Sequence, residues 1–288
     1  MGAQAMMSVL PHQSMSMDST TPSLPTRRKG SYPRRPLATL RAITALILRE
    51  MATTYGRSPG GYLWAVMEPV AGIALLSAVF SIGFIAPQLG ISFAMFYATG
   101  MVPFLFYADI AGKIATSLMF SKPLLAYPSV TYVDAILARF ILNVLTQLMV
   151  AYVVLVGIML TLETRVIPDL LIIVQAFALS AALALGIGVL NAFLFTKYNV
   201  WQRAWSILMR PLFIISGIFF LPESIPEPYQ GFLLYNPLVH IVGLMRRGFY
   251  ASYDAPYVSV TFVLGLSLTC LVIGLLLLRR YHRDLLNN

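Results

Sequence analysis

The sequence predicts an all-α integral membrane protein with six transmembrane helices. An amphipathic helix precedes them on the cytoplasmic side, and a re-entrant hairpin separates spans five and six. Three observations predict this. Hydrophobic residues make up 58% of the chain and charged residues 11%, with mean hydropathy +0.78, against roughly 45–50% and 25% for a soluble domain. Apolar runs of about 20 residues, the length that crosses a bilayer, recur along the chain. Basic residues gather on alternate connections between those runs, as the positive-inside rule requires.

Two function classes recede at once. A net charge of +9 would point to nucleic acid in a soluble protein. Here most basic residues flank apolar runs, so topology accounts for them and no nucleic-acid partner is expected. The single cysteine, Cys270, lies inside an apolar run, which excludes an intramolecular disulfide framework.

Residues 1–36 are rich in Ser, Thr, Pro and Met and end on Arg27-Arg28-Lys29 and Arg34-Arg35. Such a segment buries too little to fold alone, so it reads as a disordered cytoplasmic tail ahead of a membrane domain at 37–288. No apolar core follows the basic cluster as a signal peptide requires. From Leu37 to Tyr55 the residues Leu40, Ile43, Ile47 and Met51 recur on one helical face, with Arg41 and Arg49 elsewhere. A short basic helix of this kind is expected to lie in the membrane interface. Gly56, Pro59, Gly60 and Gly61 break it.

The six spans are expected at about 63–86, 93–114, 132–160, 170–195, 205–221 and 257–278. An even number puts both termini on one side. Arg41, Arg49, Arg57, Lys113, Lys122, Arg139, Lys197, Arg203, Arg210, Arg279, Arg280 and Arg283 fall on that side. The other holds Arg165, Arg246 and Arg247 among Glu163, Asp169, Glu223, Glu227 and Asp254. The imbalance places both termini in the cytoplasm. Between spans five and six, Pro222, Pro226, Pro228 and Pro237 punctuate a segment whose apolar stretch 238–250 is too short to cross. It reads as an outer re-entrant hairpin exposing Glu227 and Tyr229. Asn236-Pro237 forms its turn and His240 lies on the returning arm; an ordinary extracytoplasmic loop is the alternative.

Chemistry-bearing patterns are few. No G-x-x-x-x-G-K-[ST] loop occurs, so the chain has no nucleotide-hydrolysing loop of its own. His12, His240 and His282 lie far apart, no cluster has metal-ligand spacing, and no paired intramembrane carboxylates mark a proton relay. Glu68 stands just inside the first apolar run, where an ionisable group is costly. Trp64, Trp201 and Trp205 fall near cytoplasmic span ends, as an interfacial belt would place them. A conduit lined by aromatic faces, suited to the C–H faces of sugars, is the competing reading. Its candidates are Tyr62, Trp64, Phe80, Phe84, Phe96, Tyr97, Phe104 and Tyr107. In span four, Ser180, Ala184 and Gly188, and Ala182 and Gly186, have small-xxx-small spacing, a packing signal.

A family resemblance enters here. Leu48-Arg49-Glu50, Tyr55-Gly56, Gly61-Tyr62-Leu63-Trp64 and Glu68-Pro69 resemble the amino-terminal signature of ABC type-2 export permeases. The subgroup is the one handling capsular polysaccharide, O-antigen and teichoic acid. The likeness continues through Asp134-Ala135-Ile136-Leu137-Ala138-Arg139, the run from Arg210-Pro211 to Phe220, and Tyr235-Asn236-Pro237-Leu238-Val239-His240. It covers about 37–281 and is nearest to the capsular polysaccharide exporters; the tail 1–36 is longer than the family usually shows. The resemblance implies a bacterial inner-membrane permease that pairs with a second copy of itself and with two copies of a cytoplasmic ATPase. That ATPase carries the ATP and magnesium. A lipid-linked polysaccharide is the implied substrate, with periplasmic and outer-membrane export proteins as further partners.

On that reading Tyr62, Trp64, Glu68, Phe84, Tyr97, Trp205, Arg203 and Arg210 belong to the substrate conduit. Arg203 and Arg210 attract a substrate phosphate, unless Arg210 merely snorkels to the headgroups. Arg49, Glu50, Ser117, Leu118, Phe120, Lys122, Leu125 and Tyr127 couple to the ATPase, a solvated connector being the alternative for the loop. Asp134 and Arg139 are gating or structural groups that pair with another span or with the ATPase side. Exporters of O-antigen, teichoic acid, drugs or lipids share the fold expectation. A membrane enzyme acting on lipid-linked sugars would need an acid, base or metal constellation that the sequence does not display.

Overall fold

The computed structural model of the chain describes residues 38–54, 61–83, 86–125 and 131–287, and these form helices without a strand among them. The tail 1–36, Phe84 and Tyr127, and the side chains of Tyr62 and Leu125, lie outside the described residues. In order the helices are α1 (Ala38–Thr54), α2 (Gly61–Gly83), α3 (Phe93–Ala115), α4 (Ser117–Leu125) and α5 (Tyr132–Thr161). They continue with α6 (Leu170–Lys197), α7 (Asn199–Ile214), α8 (Tyr229–Leu233), α9 (Pro237–Phe249) and α10 (Val260–Asn287).

Five of them, α2, α3, α5, α6 and α10, are long and apolar enough to cross a membrane. Their positions match five of the six expected spans to within a few residues. α1 forms where the apolar period placed it, but its buried side differs. Leu46 and Glu50 are buried against α5, whereas Met51 is exposed.

The fifth expected span, 205–221, departs from a single helix. α7 has 16 residues, about 24 Å at 1.5 Å per residue, short of a bilayer core of about 30 Å. Pro211 lacks the N–H that would bond Ile207, and the helix ends at Ile214. Gly217 then takes φ +79, a conformation that a Cβ disfavours. The unwound backbone beyond it is satisfied by side chains. Asn236 Nδ2 donates to Ile215 O at 3.3 Å. Arg246 donates to Ile218 O at 2.9 Å and to Phe220 O at 3.0 Å. Leu221 N donates to Gln88 Oε1 at 2.6 Å. Non-helical backbone shielded from water needs such partners.

The core lies where α3 and α6 meet, with α10 and α9 packed on α6 and α5 and α2 on α3. Small residues permit the close approach. A Cβ on Gly186 would collide with the backbone carbonyl of Ser267, and one on Gly274 would stand 2.7 Å from Leu190 N. Ser180 donates its hydroxyl to Pro103 O at 3.1 Å. The small-residue spacing of span four therefore marks real contacts with α10 and α3. The 13-residue α9 is buried along most of its length between α3 and α6, so its apolar run reports protein burial rather than a crossing.

Candidate functional site

At one end of the bundle the chain gathers α1, α4 and the start of α5. α3 passes into α4 with only Thr116 between them. The break leaves the Lys113 carbonyl available, and Arg139 of α5 takes it. Its guanidinium donates to Lys113 O at 2.8 Å and to Thr116 Oγ1 at 3.1 Å. Nε lies 3.0 Å from Glu50 of α1. The Phe120 ring of α4 sits under the same guanidinium at 4.2 Å, with the half-buried Arg49 5.5 Å away. Arg139 and Glu50 are 5% and 6% exposed. A buried ion pair is tolerable only when further hydrogen bonds complete it, and Arg139 has them.

The structure thus joins two groups of residues that the sequence kept apart, Arg49 and Glu50 with Arg139. Arg139 pairs with Glu50 of α1, where another span or the ATPase side was the expected partner. Asp134 does not. It is N3 of α5 in a capping box, its carboxylate accepting from Thr131 N at 2.9 Å and Thr131 Oγ1 at 2.8 Å. A hydroxyl at the N-cap with a carboxylate three residues on is a legible capping signature. Ser117 and Leu118 are turned inward, and among the described side chains of α4 the exposed ones are Met119, Phe120 and Lys122.

Of the conduit candidates, Trp64 is 71% exposed and Glu68 is exposed too. Tyr97 is 2% exposed and Phe96, Phe104 and Tyr107 are also buried. Tyr97 packs on Phe80 at 5.2 Å and Phe96 at 5.3 Å, so these rings fill the core and leave no face for a sugar. Trp205 is half-buried beside Trp201, whose Nε1 donates to Asn191 Oδ1 at 3.0 Å. On α7, Arg203, Ser206 and Arg210 recur at +3 and +4, one helical face, and all are exposed. Arg203 and Ser206 line a recess of about 760 Å³ with Met119, Asn199, Val200 and Gln202.

Glu68 lines a smaller recess of about 290 Å³ together with Asp109 and Gln147, whose amide donates to Asp109 at 2.8 Å. Sequence reading saw no paired carboxylates here. Glu68 and Asp109 are distant in sequence, and only the packing of α2 on α3 brings them to one wall.

At the other end, α8 carries Tyr229 and is preceded by Glu227, both exposed. Asn236 and Pro237 form the start of α9, Asn236 as N-cap accepting from Leu238 N at 3.0 Å and Pro237 as first helical residue. His240 accepts at Nδ1 from Ser259 N at 3.1 Å, and its Nε2 lies 2.8 Å from Leu234 O. A backbone N–H on one nitrogen and a carbonyl on the other fit the neutral Nε2–H tautomer, assigned here from its partners. Tyr253 hydroxyl donates to Glu223 at 3.0 Å and stands 3.0 Å from Tyr257 hydroxyl. Burial raises the Tyr253 phenol above its ordinary value. Arg246, set down by charge counting as an outer-face residue, is fully buried, 4.2 Å over the Phe96 ring.

Five long apolar helices with buried polar pins at both ends define a polytopic helical membrane protein. Comparison with known proteins places it further. The ABC-2 type transporter family matches residues 41–250, and the chain belongs to that family. It is 32% identical over 246 residues to the polysialic acid transport protein KpsM of Escherichia coli, covering 85% of this chain and 95% of that protein. The capsule polysaccharide export inner-membrane protein CtrC of Neisseria meningitidis is 24% identical over 255 residues, 88% of this chain and 96% of CtrC. BexB of Haemophilus influenzae, described in the same words, is 24% identical over 244 residues, 84% of this chain and 92% of BexB.

Proposed function

We propose that this chain is the membrane permease subunit of an ATP-driven exporter that moves lipid-linked capsular polysaccharide across a bacterial inner membrane. The likeness to KpsM over nearly the whole of both proteins carries the reading, and membership of the ABC-2 type family supports it. The subunit is not itself an enzyme; a separate cytoplasmic ATPase binds the ATP and magnesium. Deleting the gene should abolish surface capsule and leave polymer inside the cell, with both restored by the intact gene. Normal surface capsule in the deletion, together with a defect in drug or lipid efflux, would favour the other exporters of this fold.

In the working assembly two copies of the chain stand together over two ATPase copies, and periplasmic and outer-membrane export proteins receive the polymer. Both termini are cytoplasmic. The sixth crossing is made by α7 with its unwound extension 215–221, α1 lies in the inner interface, and α8 with α9 forms the re-entrant outer hairpin. A cysteine at Glu227 should then react with an impermeant maleimide added from outside, and labelling only from the cytoplasm would overturn this orientation. α4 docks on the ATPase through Phe120 and Lys122, followed by Leu125 and Tyr127. Trp64 and Glu68 on α2 and the α7 stripe of Arg203, Ser206 and Arg210 face the conduit, with Tyr62, Phe84 and Trp205 near its walls.

Lipid-linked polysaccharides commonly end in phosphate, and a guanidinium grips phosphate in bidentate fashion. Arg210 is exposed on the polar stripe of α7, so we assign it and Arg203 to that phosphate. Arg210→Ala and Arg210→Lys should both reduce export by about tenfold or more, since a bidentate charge-assisted contact is worth about 1.5–3 kcal/mol. An arginine that only snorkels to headgroups would tolerate Lys, and wild-type export from Arg210→Ala would end the assignment.

A further inference from the structure

The inner junction of the bundle has a feature that docking of α4 does not by itself require. α3 and α4 would be one continuous helix but for Thr116, whose backbone N–H and hydroxyl both turn back to Gly112 O, at 3.2 Å and 3.1 Å. At Thr116 the backbone leaves helical values, with φ -93 and ψ 3, so the passage from α3 to α4 is broken there. Arg139 is placed on that point and on nothing else in α3. It holds Lys113 O in the last turn of α3 and Thr116 Oγ1 just beyond it. Its remaining edge is bound to Glu50, and its face lies on Phe120. One planar group therefore touches α1, the end of α3 and α4 while rooted in α5. A guanidinium suits this, because its donors point in fixed directions within one plane.

From this arrangement we propose that Arg139 is a positioning residue that locks α1 and α4 into one rigid arm, so that displacement of α4 by the ATPase is delivered to α1 and α5 together. The proposal rests on the permease reading above. Glu50 is the second half of the lock. It is 6% exposed, and Arg49, its neighbour on α1, lies 5.5 Å from the centre of the Phe120 ring. Without Glu50 the guanidinium retains its two α3 acceptors but loses α1. With lysine in place of Arg139, the compact ammonium lacks the planar spread of donors that reaches Glu50 and the Lys113 carbonyl together, and the arm divides at Thr116. Pinning two elements through one group makes them change state as a unit, which is the physical content of coupling between sites.

The test uses the permease–ATPase complex in lipid nanodiscs, with Cys270→Ala removing the single native cysteine. Spin labels go on Leu48→Cys of α1 and Met119→Cys of α4, both exposed positions, and pulsed electron resonance reads their separation with and without ATP and magnesium. In the parent, the distribution should be narrow and the same in both states, because the arm moves as one body. Arg139→Lys and Glu50→Ala should each broaden it when nucleotide is bound. Polymer exported per ATP hydrolysed should fall about tenfold in the same variants, the upper part of the range for residues that modulate coupling. A parent distribution that shifts with nucleotide, or variants as narrow as the parent, would overturn the proposal. A complex that shows the expected distances but exports no polysaccharide would instead refute the substrate reading and leave the rigid arm standing.

Discussion

Arg246→Met should be the most damaging single change in the half of the protein that holds α8 and α9, lowering stability by about 2–4 kcal/mol. The methionine fills similar space and contacts Phe96, so apolar packing is largely kept. The carbonyls of Ile218 and Phe220 lose the guanidinium donors that hold them, and a buried acceptor left without a partner costs about 1–3 kcal/mol. Relief from burying the guanidinium offsets part of that sum. Arg246→Lys should recover about half the loss, since one ammonium reaches one carbonyl well and the second poorly. Thermal unfolding of the purified protein in detergent checks both. A methionine variant that melts with the wild type would show that the unwound segment 215–221 is held by Asn236 and Gln88 alone.

The second large effect is expected at Gly274→Val. The added Cβ alone would lie 2.7 Å from Leu190 N and 2.9 Å from the Val189 carbonyl carbon. Those are backbone atoms of α6, so no side chain can swing away and the helices must separate. Overpacking costs about 1–3 kcal/mol. It weighs more between membrane helices, where lipid is as apolar as a side chain and close packing itself drives association. Gly265→Ala on the same helix is the matched control, because nothing lies within 4 Å of its Cβ position. It should be neutral or slightly stabilising through better helix propensity, by up to about 1 kcal/mol. Equal melting of the two variants would remove close α6–α10 contact as the reason for glycine at 274.

Much of the architecture could be read from residues near one another in the chain. Five crossing helices follow from five apolar runs, the α5 cap from Thr131 and Asp134, and the tight face of α6 from its small residues. The errors have a common source. Leu118, Phe96 and Tyr97 were assigned to surfaces because they are apolar or aromatic, yet all three are buried. In a soluble helix the polar face tells which side is out. α3, which carries Phe96 and Tyr97, is apolar from Phe93 to Ala108 save for Thr99, and hydropathy does not distinguish a side chain against lipid from one against protein.

The ionisable residues show the same division. Their sequence positions alone determined the membrane class and, through the positive-inside rule, the expected sidedness, because insertion reads local hydropathy and the charge next to each run. What each buried charge binds was decided only by the tertiary structure. Glu50 and Arg139 are 89 residues apart, and Arg246 meets carbonyls 26 and 28 residues earlier. Such partners are carried by different segments of the chain, and the packing of those segments sets which of them meet. Burial then enforces the choice, because a charge shut away from water must find donors or acceptors in whatever backbone or side chain the fold brings beside it.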